Sequence, residues 1–233
     1  MRSLPDPDAI AFDLDGTLVD TVETRIAAWM RVFGEQRISA DRGHVARLIG
    51  ADGKRLAREI ADVAGKRIDD DRAEAIDKRS GEIYNELNTN PRPIRGARPL
   101  LLALTGSRLP WAIATSSRRE QVMTSVEALG LSLSPRIVDG SHVKHAKPAP
   151  DLLLLAAQQL HTRVGQCWYV GDSTWDMLAS KAAGMTGVAV SYGAASKQDL
   201  LGACASAVTN FRALLDDLRR RGLVSAGQPL AVS

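Results

Sequence analysis

Short apolar runs alternate along the chain with longer stretches of helical spacing. The first run is Ala9-Ile10-Ala11-Phe12, which ends in acidic residues. Trp111-Ala112-Ile113-Ala114 lies much further on, between Pro110 and Thr115-Ser116-Ser117. Arg136-Ile137-Val138 is weaker, and Cys167-Trp168-Tyr169-Val170 is clear and closed by Gly171-Asp172. Gly187-Val188-Ala189-Val190 and Ala207-Val208 complete the series. Strands that are apolar at every position and separated by helices imply a parallel sheet covered on both faces. The expected fold class is therefore α/β, a three-layer α/β/α core. Such sheets bind ligands at the carboxyl ends of their strands.

One stretch breaks the alternation. From about 21 to 93 no strand-like run occurs, yet helical spacing persists, as at Ile26, Trp29, Met30 and Phe33. Breaks at Gly34, Gly50-Ala51-Asp52-Gly53 and Gly65 divide it into about four helices, and Pro91-Arg92-Pro93 ends it. The expected organisation is a core of residues 1–20 and 94–233, interrupted by a four-helix lid of residues 21–93. From about Gly222 the chain reads as a frayed tail.

Composition narrows the partners. Hydrophobic residues make up 45% and charged residues 24% of the 233, ordinary for a globular protein. The longest apolar run, Leu152 to Ala157, is far shorter than the ~20 residues of a membrane helix. Asp6, Asp8, Asp13 and Asp15 interrupt the N-terminal apolar stretch, so no signal peptide is read and a cytoplasmic location is expected. Cys167 and Cys204 cannot form a disulfide framework. The net charge of +3 reflects 30 basic against 27 acidic residues, and only Arg219-Arg220-Arg221 is a tight basic run. With aromatic residues at 4%, base-stacking surfaces are poorly supplied, so no nucleic-acid partner is expected.

Four strand ends carry chemistry. Asp13-Leu14-Asp15-Gly16-Thr17 follows the first run, and two carboxylates one residue apart can both reach a single metal-bound phosphate. Thr115, Ser116 and Ser117 offer hydroxyls and backbone amides where a helix opens, a ready phosphate site. Lys147 lies in a loop stiffened by Pro148 and Pro150. Gly171-Asp172-Ser173-Thr174-Trp175-Asp176 places two carboxylates four apart, which suits a hard, oxygen-ligated cation. Each of these segments also has a bland use, in turns or helix caps.

Taken in order, these four elements resemble the motifs of the haloacid dehalogenase superfamily, in its phosphatase branch with a helical cap inserted after the first motif. The resemblance runs from about Asp8 to Leu218 and implies a Rossmann-like core and a Mg²⁺-dependent phosphatase. It implies Asp13 as nucleophile, Asp15 as acid and base, and Thr115, Ser116 and Lys147 as phosphate-binding residues. It implies a Mg²⁺ held by Asp13, Asp15 through its carbonyl, and Asp172, with Asp176 orienting a metal-bound water. The substrate would be a small phosphorylated metabolite, phosphoglycolate or a sugar phosphate, and the enzyme a monomer or homodimer. A phosphomutase similar to β-phosphoglucomutase is the alternative, although that family's Ser-Arg-Glu-Asp cap pattern is replaced here by Gly50-Ala51-Asp52-Gly53-Lys54-Arg55. A silent binding protein on the same scaffold would show a damaged site, and all six core residues are present. Arg47, Asp52 and Lys54 are the candidates for substrate choice in the cap, and His142, Lys144 and His145 for the entrance.

Overall fold

Six strands form where the apolar runs fall: β1 (Ala9–Phe12), β2 (Trp111–Ala114), β3 (Arg136–Val138), β4 (Cys167–Gly171), β5 (Thr186–Val190) and β6 (Ala207–Thr209). The structure, a computed structural model, describes residues 4–193, 195–203 and 205–225. All six strands are parallel, in the order β3-β2-β1-β4-β5-β6. The helices are α1 (Val22–Glu35), α2 (Arg42–Leu48), α3 (Gly53–Val63), α4 (Asp70–Leu87) and α5 (Ala97–Thr105). They continue with α6 (Arg119–Ala128), α7 (Asp151–Gln159), α8 (Thr174–Ala183), α9 (Lys197–Gly202) and α10 (Phe211–Arg220).

The two faces of the sheet differ in size of side chain. Ile10, Phe12, Ile113, Trp168 and Val170 fill the face covered by α5 and α10. Ala9, Ala11, Ala112 and Ala114 line the other face, under α7 and α8. Each large side chain so buried contributes about 1.5–3 kcal/mol of transfer free energy. Because neighbouring residues point to opposite faces and both faces are dry, the strands read as unbroken apolar runs. Such a fold is a Rossmann-like α/β arrangement. β1 lies between β2 and β4, so the chain leaves it towards one edge and later returns to its other side, opening a crevice at its carboxyl end.

Helices α1 to α4 bury a separate apolar cluster that includes Ile26, Trp29, Phe33, Leu56 and Ile76. Asp41, Asp52 and Asp69 cap three of them, accepting the backbone N–H of His44, Arg55 and Arg72 at 2.7, 3.0 and 2.8 Å. Helix α1 runs through Gly34 to Glu35, one residue past the expected break. A lone helical glycine costs only about 1 kcal/mol, which the burial of Val32 and Phe33 offsets. The fraying expected from Gly222 is absent through Val224. Leu223 N–H bonds the Leu218 carbonyl at 3.0 Å, and Val224 is buried in the core. Cys204 and residues 226–233 lie outside the described residues. Among the described residues, no helix is long and apolar enough to cross a membrane.

Candidate active site

The strand ends bring Asp13, Thr115, Lys147, Asp172 and Asp176 into one buried nest. Lys147 is its hub. Its Nζ donates to Asp13 Oδ1 at 2.7 Å, to Asp176 Oδ1 at 2.7 Å and to the Tyr169 hydroxyl at 3.2 Å. Tyr169 in turn donates to the Ala114 carbonyl at 2.8 Å, so β2 and β4 together fix the ammonium. Thr17 Oγ1 donates to Asp172 Oδ1 at 2.6 Å. Asp176 Oδ2 accepts from the Ser173 N–H at 2.9 Å and hydroxyl at 2.6 Å, in a capping box that opens α8. Thr115 Oγ1 accepts the Ser117 N–H at 3.2 Å, which shapes the loop before α6. That helix starts at Arg119, two residues beyond the serines.

Charge in the nest does not balance. One carboxylate oxygen from each of Asp13, Asp172 and Asp176 lies within 4.8 Å of the others. Burial pushes the Asp13 carboxyl up to about 7, against the pull of Lys147, and the neighbouring Asp176 charge adds to the rise. Burial, then Asp176 and Asp13, drive Asp172 well above the usual carboxylate range. Burial alone would lower the Lys147 ammonium, but Asp13 and Asp176 hold it well above its ordinary value. Three carboxylates facing one ammonium leave a deficit that one divalent ion cancels, and an all-oxygen donor set suits a hard metal. The cluster can therefore hold a metal.

Asp15 stands across from this nest and is surrounded by donors. Its Oδ1 accepts from Thr21 Oγ1 at 2.7 Å and from the Tyr84 hydroxyl at 3.0 Å. Its Oδ2 accepts from Ser117 Oγ at 2.6 Å and from Arg25 Nη2 at 2.8 Å. Burial acts to raise its carboxyl, yet Arg25 and these hydrogen bonds hold it below the usual range. Arg25 also donates to Gln121 Oε1 at 2.7 Å, and its guanidinium lies 3.4 Å over the Tyr84 ring. No motif marks Arg25, Tyr84 or Gln121. The available signal was Arg25 falling on the helical face of Val22 and Trp29, where a solvated charge does not belong.

The helical block closes over the nest through the loop 49–52. Asp52 N–H donates to the Lys147 carbonyl at 2.9 Å, and Ser116 Oγ donates to the Gly50 carbonyl at 3.3 Å. Trp175 Nε1 donates to the Arg47 carbonyl at 2.9 Å. At Gly50, with φ of +94°, a Cβ would sit 2.8 Å from Ser173 Oγ, so glycine permits this approach. A cavity of about 60 Å³ remains, walled by Asp13, Asp15, Thr115 and Ser116 from below and by Trp29 and Leu56 from above.

The charged cap candidates lie elsewhere. The Asp52 side chain is spent on capping α3, and Lys54 pairs with Glu74 at 3.5 Å in an outer cleft that also holds Lys144 and His145. Arg47 borders a different cleft, beside Ser173 and Gln198. His142 Nδ1 lies 3.2 Å from the buried Asp139. Gly50, Ala51 and Gly53, not those charges, line the cavity over the nest.

This arrangement has relatives. The sequence pattern of the haloacid dehalogenase-like hydrolases matches residues 10–190. Fructose-1-phosphate phosphatase YqaB of Escherichia coli (strain K12) is 30% identical over 184 residues, covering 78% of this chain and 95% of its own. A phosphoglycolate phosphatase of Shigella flexneri is 31% identical over 216 residues, covering 83% and 84%. The solved structure of a hydrolase from Pseudomonas syringae superposes with a TM-score of 0.84 at 31% identity, over 93% of this chain and 99% of that one. These matches span the sheet and the helical block alike, and the chain belongs to the haloacid dehalogenase-like hydrolase family.

Proposed function

We propose that the protein is a Mg²⁺-dependent phosphatase that hydrolyses a small phosphorylated metabolite through an aspartyl-phosphate on Asp13. Residues 1–20 and 94–233 act as the catalytic core, and residues 21–93 as its cap. The observation that carries this reading is the pairing of a metal-ready carboxylate nest around Asp13 with a second carboxylate, Asp15, reached from the cap side.

The Asp13 and Asp172 carboxylates and the Asp15 carbonyl would hold Mg²⁺, which supplies the positive charge that lets an anionic carboxylate meet an anionic phosphate. Lys147 fixes the Asp13 oxygen and neutralises the transferring phosphoryl group, with Thr115 and Ser116 hydrogen-bonding its oxygens. The Asp13 oxygen attacks phosphorus, and the leaving alkoxide takes a proton from Asp15. Asp15, now a carboxylate, removes a proton from water, which attacks phosphorus and frees Asp13. The grip of Arg25 enforces the carboxylate form needed for this second half. In the first half the same carboxyl must carry a proton, a form that its burial favours and that Arg25 opposes. Opening of the cap is required for entry, since about 60 Å³ is well below the ~300 Å³ of a typical ligand site.

Phosphate release from p-nitrophenyl phosphate and from a panel of phosphorylated metabolites, with and without Mg²⁺, tests this reading. Metal-dependent release is expected. Equal release after chelation, or none from any ester, would defeat it.

A further inference from the structure

The cavity above Asp13 has a wall that phosphate chemistry does not use. Asp77, on α4, lines it. Its Oδ2 accepts from Arg118 Nη2 at 3.1 Å, and Arg118 is shared with Glu74. Gly53 opens α3 directly opposite, and a Cβ there would lie 1.9 Å from Asp77 Oδ1. The missing side chain at position 53 is what lets a carboxylate stand at this wall.

The cations lining the cavity are already committed. Lys147 lies between Asp13 and Asp176, and Arg25 is bound to Asp15, Ser117 and Gln121. A leaving group that carries its own carboxylate would find both lining cations already paired and the Asp77 carboxylate in the wall it must face. A leaving group rich in hydroxyls would instead give hydrogen bonds to Asp77 and rest its carbon skeleton on Trp29 and Leu56. Burial raises the Asp77 carboxyl and Arg118 opposes that rise, consistent with a carboxylate set in a wall and not in open solvent.

Resting on the phosphatase reading, we propose that Asp77 determines specificity, accepting hydrogen bonds from the hydroxyls of an uncharged sugar or polyol and disfavouring phosphate esters that carry a second anion. Like charges facing each other across a closed site reject a ligand by an order of magnitude or more.

The test compares kcat/KM for fructose 1-phosphate and glycerol 3-phosphate with that for phosphoglycolate and 3-phosphoglycerate, using p-nitrophenyl phosphate as a generic ester. The wild type is expected to prefer the polyol esters by at least about tenfold. Asp77→Asn should shrink that ratio, and Asp77→Lys should invert it. Each ratio is taken within one variant, so a loss of folded protein cancels. If the wild type hydrolyses the generic ester yet prefers phosphoglycolate, or turns over no polyol ester, the proposal falls and the phosphatase reading stands. It falls equally if both Asp77 variants keep the wild-type ratio. Hydrolysis of none of these esters would sink the phosphatase reading itself.

Discussion

Asp13 and Asp15 are separated by a single leucine and live in opposite electrostatic worlds. Asp13 shares its pocket with two other carboxylates and one ammonium, and its carboxyl is pushed up to about 7. Asp15 has four donors around it, one of them a guanidinium from the helical block, and is held below the usual range. A pair of identical side chains thus acquires two environments, as when surroundings drive the pKa values of two catalytic carboxyls apart, and the proposed nucleophile and acid–base roles divide along that line. The core alone builds the first environment. The second exists only while α1 and α4 are seated.

Exchanging each carboxylate for an amide is the strongest way to break this comparison. Asp13→Asn is expected to lower phosphate release by at least about 10³-fold. Its melting temperature without metal should hold or rise, because one of three crowded carboxylates is gone and Lys147 keeps Asp176. Asp15→Asn is expected to cost about 10²–10⁴-fold in turnover. It should also cost about 3 kcal/mol in stability, since Arg25 loses its anion where both side chains are largely buried. Activity assays with thermal melts of both variants check this. A destabilised Asp13→Asn beside an undisturbed Asp15→Asn would reverse the assignment.

The next effect is on pH. The folded Asp13 carboxyl lies near 7, above its unfolded value of 3.8, so between those values the metal-free folded state holds more protons than the unfolded one. Its contribution to stability is full below about pH 4 and is lost as pH rises through 7. A metal competes with that proton, so affinity should climb from pH 6 to 8 and binding should release protons. Calorimetry in two buffers of different ionisation enthalpy measures this directly. A flat affinity with no proton release contradicts the crowded nest.

The smallest change tests the other side. Tyr84→Phe removes one of four donors to Asp15 and is expected to cost about 0.5–1.5 kcal/mol in stability with a modest fall in kcat. An intact melt and unaltered rate would show that the phenol, itself pushed up to about 12 by burial and by Asp15, is a bystander.

How much of this was legible followed from where each residue sits. The sheet could be read because both faces are covered, which leaves a signature of unbroken apolar strands. Asp13, Thr115, Lys147, Asp172 and Asp176 could be placed together because each follows a strand, and parallel strands align their carboxyl ends. Arg25, Tyr84 and Gln121 could not, since on helices a charge, an aromatic and an amide look the same whether they face solvent or a site. Arg47, Asp52 and Lys54 drew attention as charges near a glycine break. There the fold uses one for capping and one for an outer ion pair, and turns the main chain inward.

That use of main chain has an evolutionary consequence. Between residues 47 and 52, the three contacts described with the core run through the Arg47 and Gly50 carbonyls and the Asp52 N–H. Closure written in peptide groups survives the exchange of most side chains in that loop, Gly50 excepted. With α1 to α4 acting as the proposed lid, its chemistry can drift while the latch stays constant, and a new substrate can be adopted without rebuilding the contacts that close upon it.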